Sequence, residues 1–312
     1  MTEKSTPVHA GLDVAKATLQ LHFQNRQHAL SNDAEGHARL IKLLRAVPGA
    51  HLVCEATAGY ERPVVAALHA AGLPVSVVNP AQVRHFALAR GGRAKNDPLD
   101  AQVLSHYGQS VKPAPTPVPD AALAELRALV QWRDQLKEQL TRARQYGEHT
   151  TLRFALRQQA KLIKHLQNQL AAVEQELAAA LARSPECQKQ VRALAQVDGI
   201  GTLTAVSVLS QMPELGQLNR QQAAALAGLA PWTRQSGPWE GQRHIGGGRA
   251  VIRRALYMCA VSLARRTETT LGRFYKHLRD AGKPAKVALT AVMRKLLLQM
   301  NQTLKNQALK KA

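Results

Sequence analysis

The segment VHAGLD at residues 8–13 is a short apolar run that ends in a carboxylate, and it predicts a β-strand. Residues 18–24 alternate, with Leu19, Leu21 and Phe23 on one face, and predict a second strand that forms a hairpin with the first. A hairpin followed by alternating helices and strands predicts a mixed α/β sheet covered by helices. The later elements are helices at residues 35–47 and 63–71, strands at 51–55 and 73–78, an alanine-rich helix ending at Arg90 and a helix beginning at Asp97.

The composition changes twice along the 312 residues, which predicts three domains. The α/β pattern occupies residues 1–115. A proline at every second position from Pro113 to Pro119 predicts a stiff, extended linker. Residues 116–190 then continue as long charged helices, which form either an antiparallel hairpin within the chain or a coiled-coil arm between two copies. Residues 191–312 follow a helical pattern and predict an all-α C-terminal domain.

The charge balance points to a nucleic-acid partner. The chain has 42 Lys and Arg against 21 Asp and Glu, a formal net charge of +21. Residues 191–312 hold 19 basic and 5 acidic side chains, so this section alone contributes +14. A polyanion is therefore the expected partner, bound mostly by the C-terminal third. Composition alone leaves open a ribosomal or histone-like basic protein.

The cysteines and the apolar runs limit the cellular setting. Cys54, Cys187 and Cys259 are far apart and no C-x-x-C pair occurs, so neither a zinc site nor a disulfide framework is expected. A reducing cytoplasm fits best. No stretch of about 18 uncharged apolar residues is present, so we expect no membrane span.

Four acidic residues stand at positions that can converge on one edge of the sheet. Asp13 and Glu55 end the first and third predicted strands, and Asp97 and Asp100 share one face of a helix. Such a cluster is unfavourable unless cations neutralise it, and two Mg²⁺ ions can do so while they stabilise phosphoryl transfer. Other roles stay open, since Asp97 and Asp100 also suit a helix start and Asp13 suits a hairpin turn.

A glycine turn precedes an apolar helix in the C-terminal section. The turn VDGIG at residues 197–201 contains Gly199 and Gly201 and leads into residues 203–212. A Gly-x-Gly turn that opens a helix resembles a helix-hairpin-helix element, in which backbone N–H groups bind a phosphate. A plain tight turn is the alternative.

Ser236 lies in a loop rich in glycine and proline at residues 230–248, and basic side chains surround it in the sequence. A serine hydroxyl is a weak nucleophile without activation, but arginines can fix a phosphate and stabilise its developing charge. The alternative is that Ser-Gly-Pro is only a turn. We expect Trp232 and Trp239 to be buried against helices rather than stacked on bases. The basic residues are Arg234, Arg243, His244, Arg249, Arg253 and Arg254.

Motifs over nearly the whole chain resemble the DEDD transposases of bridge-RNA-guided insertion sequences, a family that includes the Piv-type DNA invertases. Each motif is weak alone, but their order and spacing are specific. The chain departs from the family at Ala58-Gly59, where a glycine pair is more common, and in the glycine-rich residues 246–248. The motifs are residues 11–16 (GLDVAK), 55–60 (EATAGY), 77–80 (VVNP), 94–101 (AKNDPLDA), 199–201 (GIG), 228–231 (GLAP), 236–237 (SG), 253–256 (RRAL) and 293–297 (MRKLL).

The resemblance implies a RuvC-like, RNase-H-type fold for residues 1–115 and a transposase domain at residues 191–312. It implies that Asp13, Glu55, Asp97 and Asp100 bind Mg²⁺ and that Ser236 is joined transiently to DNA. It also implies a coiled-coil arm, a homo-oligomer such as a dimer or tetramer with a composite active site, and a guide (bridge) RNA that pairs with donor and target double-stranded DNA. Such a protein would associate with the nucleoid when it is bound to DNA.

Two other functions are compatible with parts of the sequence. A RuvC-like nuclease or junction resolvase would use the same carboxylates with water as the nucleophile, and it would have no need of Ser236. A non-enzymatic DNA- or RNA-binding protein would use the glycine turn and the basic helices, and it would keep every activity when Asp13 or Asp100 is removed.

Overall fold

A computed structural model describes residues 8–91, 97–147, 150–233, 235–236, 239–241 and 243–309. The chain forms two compact units, Met1–Val118 and Pro119–Ala312. The first is mixed α/β and the second is mostly helical, as the sequence predicts; the division into 1–115, 116–190 and 191–312 stays a prediction. In the part that the structure describes, no helix is long and apolar enough to cross a bilayer. The three cysteines are buried and free.

The first unit is built on a five-stranded sheet with the spatial order β3-β2-β1-β4-β5. The predicted hairpin is present, since β1 pairs antiparallel with β2, and β4 and β5 continue parallel with β1. The strands are β1 (Val8–Val14), β2 (Thr18–Phe23), β3 (Arg26–Ser31), β4 (Ala50–Glu55) and β5 (Val75–Val78).

The sequence did not predict β3. Gln24 and Asn25 form the turn before it, with φ of +49° and +59°, so β2 and β3 make a tight hairpin. Leu30 is the buried residue of this edge strand. The alternation that marks a half-buried strand is therefore missing from residues 26–31.

Helices cover both faces of the sheet. Leu40 and Leu68 pack with Leu12 and other even-numbered residues of β1 and β4 on one face. On the other face, Leu104 packs with Val53. The unit is thus a three-layer α/β/α sandwich. The helices are α1 (Ala34–Arg45) and α2 (Arg62–Ala70) on the first face, and α3 (Pro80–Ala89) and α4 (Asp97–Val111) on the second.

Part of the predicted proline linker packs against the sheet instead of connecting the units. Thr116 N–H donates to the carbonyl oxygen of Val75 (2.8 Å), and its Oγ1 accepts from Val77 N–H (2.9 Å). Ser76 Oγ donates to the carbonyl oxygen of Ala114 (2.8 Å). The segment is extended, as predicted, but as far as Thr116 it covers the open edge of β5.

The second unit begins with two long helices that pack antiparallel within the chain. Arg133 pairs with Glu174 (2.8 Å) and Arg183 with Glu125 (2.7 Å) across them. Their buried residues join the same apolar core as the helices that follow. A coiled-coil contact between copies stays a prediction. The helices are α5 (Ala121–Gly147), α6 (Arg153–Arg183), α7 (Pro185–Ala195), α8 (Thr202–Gln211), α9 (Arg220–Leu226), α10 (Ala250–Ala264), α11 (Thr270–Asp280) and α12 (Ala285–Leu309).

The prediction of an all-α C-terminal domain was wrong in one region. The loop between α9 and α10 holds two short antiparallel strand pairs: β6 (Pro231–Trp232) with β9 (His244–Ile245), and β7 (Gln235–Ser236) with β8 (Trp239–Glu240). Two-residue strands leave no periodic pattern, so glycine and proline dominate the sequence signal here.

Candidate active site

Asp13 and Glu55 lie side by side on neighbouring parallel strands. Leu12 of β1 is in register with Cys54 of β4, so Asp13 and Glu55 are the next residues along both strands. The backbones of paired strands are about 4.8 Å apart. Since side chains alternate between faces, both carboxylates lie on the face of the sheet that Val53 shares with α4.

α4 approaches β1 so closely on this face that only glycine fits. A Cβ at Gly11 would overlap the carbonyl oxygen of Ala101 and the amide nitrogen of Ser105. A Cβ at Gly108 would lie 2.8 Å from His9 Cβ and 2.9 Å from Val53 Cγ2. Ser105 Oγ also donates to the carbonyl oxygen of His9 (2.9 Å). α4 therefore runs antiparallel to β1.

The first turn of α4 consequently extends toward Asp13. From Ala101 back to Asp97 the helix rises about 6 Å, and from Gly11 to Asp13 the strand advances about 7 Å. Asp97 is the first residue of α4 and Asp100 is half-buried in its first turn. The side chain of Asp97 lies outside the described residues. Among the side chains that are described, no group of three or more His, Cys, Asp or Glu is close enough to hold a metal ion.

The electrostatic environment of the site is negative. Burial, followed by the Glu61 and Glu55 carboxylates, raises the pKa of the Cys54 thiol to about 12. Cys54 also lies in the apolar core on the opposite face of the sheet, so its thiol is not among the groups beside Asp13 and Glu55. The donor set that remains consists of carboxylate oxygens, which are ligands that Mg²⁺ prefers. Mg²⁺ is commonly held by one or two protein carboxylates together with substrate phosphates, so Asp13 and Glu55 fit this ion.

A fifth acid, which sequence reasoning missed, shapes the turn after Glu55. Glu61 is buried, and its Oε2 accepts from the amides of Thr57 (3.0 Å) and Gly59 (2.9 Å). Ala58 has φ +51°, a conformation that glycine adopts at much lower cost. This explains why a glycine is more common at position 58 in the family that the sequence resembles. The available signal for Glu61 was its position just before the predicted helix at residues 63–71, since it is the N-cap residue of α2.

Ser236 lies in β7, paired with Trp239 of β8. The side chains of residues 234–240 lie outside the described part of the chain, so the Arg234 prediction also lies outside it. Trp232 was expected to be buried, and this was wrong: its side chain is 67% exposed, with Nε1–H donating to the carbonyl oxygen of Gly246 (3.3 Å). A short β-ribbon leaves little apolar surface for an indole to pack on.

The predicted phosphate-binding residues divide into two groups. Arg249 makes two hydrogen bonds to the Glu214 carboxylate (both 2.7 Å) and one to the carbonyl oxygen of Gln211 (3.0 Å). Arg253 donates to the carbonyl oxygens of Ala227 and Gly247. These two arginines brace the ends of the loop between α9 and α10, which we call the ribbon loop. The exposed members are Arg243, His244 and Arg254.

The Glu214 carboxylate is well matched to Arg249. Burial acts to raise the pKa of Glu214, but the hydrogen bonds and the charge of Arg249 outweigh burial and leave the pKa below its usual value. A bidentate pair of this kind fixes orientation as well as charge. The pair therefore links the start of α10 to the segment after α8.

The glycine turn connects α7 and α8 as a helical hairpin. Gly199 has φ +81°, and a Cβ there would lie 2.7 Å from the Leu263 side chain of α10. Gly201 is the N-cap residue of α8, has no side chain to cap the helix, and faces open space. The first N–H groups of α8 are thus in a position where an external acceptor can reach them.

Comparison with known proteins gives two family matches. Residues 10–154 match the IS110-type DEDD family, described as "Transposase", and residues 191–276 match the "Transposase IS116/IS110/IS902 family". Similar proteins include the pilin gene-inverting proteins of Moraxella lacunata and Moraxella bovis, each 27% identical over 300 residues, which is 93% of this chain and 93% of each relative. The matches define a transposase, an enzyme that binds and recombines DNA. The chain belongs to the IS110 family of transposases.

Proposed function

We propose that the chain is an insertion-sequence recombinase that exchanges strands of double-stranded DNA through a transient phosphoserine link at Ser236 and a Mg²⁺-binding site made by Asp13, Glu55, Asp97 and Asp100. One observation carries the proposal. Asp13 and Glu55 are neighbours on β1 and β4, on the face covered by the α4 helix that begins with Asp97. The sheet order, with an antiparallel β1-β2-β3 and parallel β4 and β5, supports a RuvC-like, RNase-H-type fold for the first unit.

The chemistry requires that a phosphodiester be opened and closed without loss of its bond energy. The Ser236 hydroxyl gives up its proton as Oγ attacks the scissile phosphorus, and the sugar oxygen leaves with a proton. A second sugar hydroxyl then attacks the phosphoserine, which frees Ser236 and rejoins the DNA. Bound Mg²⁺ would supply charge neutralisation at the phosphate. The carboxylates of β1, β4 and α4 would hold and orient that ion.

The basic second unit would hold the nucleic acids. Residues 191–312 carry +14 of the net charge of +21, which suits a guide RNA together with donor and target duplexes. Arg243, His244 and Arg254 are exposed near Ser236 in the sequence and are the proposed phosphate contacts. Arg234 and the glycines at 199 and 201 would add to them. Arg249 and Arg253 would act by bracing the loop, since their guanidinium groups bind protein oxygens.

The relatives add support from a different direction. The Moraxella proteins are named for inverting a pilin gene, and they align with 93% of this chain. Inversion needs two cut sites and two rejoining steps. A dimer or tetramer, with the α5–α6 hairpin as a coiled-coil arm between copies, would bring two sites together.

A covalent-trapping assay tests the proposal. Protein, Mg²⁺, the element's RNA and end-labelled target DNA are mixed, denatured and separated on a gel. Wild type should give a protein–DNA adduct that is lost in both Ser236→Ala and Asp13→Ala. Ser262→Ala, which changes an exposed serine of α10, serves as the matched control and should keep the adduct.

A different pattern would point to a different enzyme. Cleavage without an adduct that survives Ser236→Ala but fails in Asp13→Ala would indicate a water-using nuclease or junction resolvase. Adduct formation without RNA would remove the guide from the proposal and leave the phosphoserine step. DNA binding without any cleavage, unchanged in Asp13→Ala, would indicate a non-enzymatic role.

A further inference from the structure

We propose that Asn32 is a positioning residue that holds together the two loops following the carboxylate-bearing strands β1 and β4. The proposal rests on the proposed metal site. Asn32 lies between β3 and α1 and is half-buried. Its Nδ2 donates to the carbonyl oxygen of Ala15 (2.9 Å) and to that of Tyr60 (3.2 Å). One amide group thus spans the loop two residues after Asp13 and the turn five residues after Glu55.

The orientation of this amide is determined by its partners. Both Nδ2 contacts are carbonyl oxygens, which only accept, so the nitrogen must point to them. The oxygen Oδ1 then faces His37 Nε2 at 2.8 Å, so that nitrogen of the buried imidazole carries a hydrogen and donates. The Asn32 backbone N–H also donates to the carbonyl oxygen of Ala17 (3.0 Å). The side-chain nitrogen, the side-chain oxygen and the backbone N–H of Asn32 therefore each have a hydrogen-bond partner of the right kind.

Each of the two loops also has hydrogen bonds of its own. The Asn32 bridge therefore fixes the position of one loop relative to the other. The first is closed by the Ala15 N–H donating to the carbonyl oxygen of Thr18 (2.9 Å). The second is closed by Glu61, which takes the amides of Thr57 and Gly59. Asn32 joins one closed loop to the other. Groups that hydrogen-bond directly to metal ligands typically change metal affinity 10- to 100-fold when removed; Asn32 acts through the loops next to the ligands, so we expect the lower end of that range.

The test is a direct Mn²⁺ titration of the full chain without DNA, with free Mn²⁺ measured by electron paramagnetic resonance. We expect Asn32→Ala and Asn32→Asp each to raise the Mn²⁺ Kd about 10-fold. Asn32→Asp is the sharper variant, because a carboxylate adds negative charge near the site yet cannot donate to Ala15 and Tyr60. Simple electrostatics predicts tighter binding for it, whereas the bridge predicts weaker binding.

Asp33→Ala is the matched control. Asp33 caps α1 by accepting from Gly36 N–H (2.9 Å) and from Ser31 Oγ (2.7 Å), so its loss weakens the same junction without touching either loop. Its Mn²⁺ Kd should stay within twofold of wild type. The bridge is overturned if Asn32→Asp binds Mn²⁺ as tightly as wild type, or if Asp33→Ala matches the loss. Wild type binding no better than Asp13→Ala would instead overturn the metal site itself.

Discussion

Gly11→Ala should separate α4 from the sheet and so test the geometry of the candidate site. The new methyl group would overlap backbone atoms of Ala101 and Ser105, which cannot rotate away as a side chain can. Overpacking of this kind costs about 1–3 kcal/mol. As α4 moves outward, the bond from Ser105 to His9 is lost as well, which adds about 1 kcal/mol. We expect the first unit to lose about 2–4 kcal/mol.

The measurement has to report on the first unit alone. All three tryptophans lie in the second unit, so their fluorescence cannot serve. Urea unfolding followed by pulsed hydrogen exchange, with peptides from β1 and α4 analysed by mass spectrometry, resolves the unit that changes. Gly246→Ala is the control, since a Cβ there meets open space. If Gly11→Ala unfolds at the same urea concentration as wild type, α4 does not pack on β1 as described.

Three further predictions concern single groups. Ala58→Gly should stabilise the chain by about 0.5–1 kcal/mol in urea unfolding, because φ +51° is strained for alanine; a loss of stability would contradict the strain. Burial, and then a neighbouring histidine, lowers the pKa of His22 and of His51, so their stabilising contribution is complete above about pH 6.5 and should fall as the pH drops through their folded-state pKa values; an unfolding midpoint that stays flat from pH 7.5 to 5 would argue against this. Arg249→Ala should cost about 1–3 kcal/mol by leaving Glu214 without its partner, and Arg249→Ala combined with Glu214→Ala should recover part of that loss; a loss in the double variant equal to the sum of the two single losses would exclude the coupling.

The sequence was sufficient to predict the parts of the fold that show a clear hydrophobic periodicity. β1 and β4 are apolar and buried on the sheet, and α1 to α4 have helical spacing, so their order and the positions of Asp13 and Glu55 could be predicted. β3 could not, because Leu30 is its buried residue. The ribbon strands around Ser236 are two residues long, which is too short for an alternation to repeat.

The close packing at the candidate site could not be predicted because it depends on distant contacts. Gly11 and Gly108 are ordinary glycines in the sequence, and only the fold shows that α4 crosses β1 at both. Glu61 and Asn32 likewise look like residues at helix starts. Their role depends on backbone groups 2 to 28 positions away, which no local pattern contains. Arg249 was assigned to phosphate from its charge alone, since Glu214 lies 35 positions earlier.

The proline segment along β5 has a practical consequence for anyone who shortens this chain. β5 is an apolar strand, and an uncovered edge of that kind can recruit strands from other molecules. Thr116 hydrogen-bonds to the backbone at the free edge of β5. The prolines at 113, 115 and 117 have no backbone N–H, so the segment cannot pair with a further strand through those positions. A version cut after Val111, at the end of α4, would expose the unpaired backbone groups of β5 and precipitate. A version that ends at Val118 would keep the proline segment that covers the edge of β5.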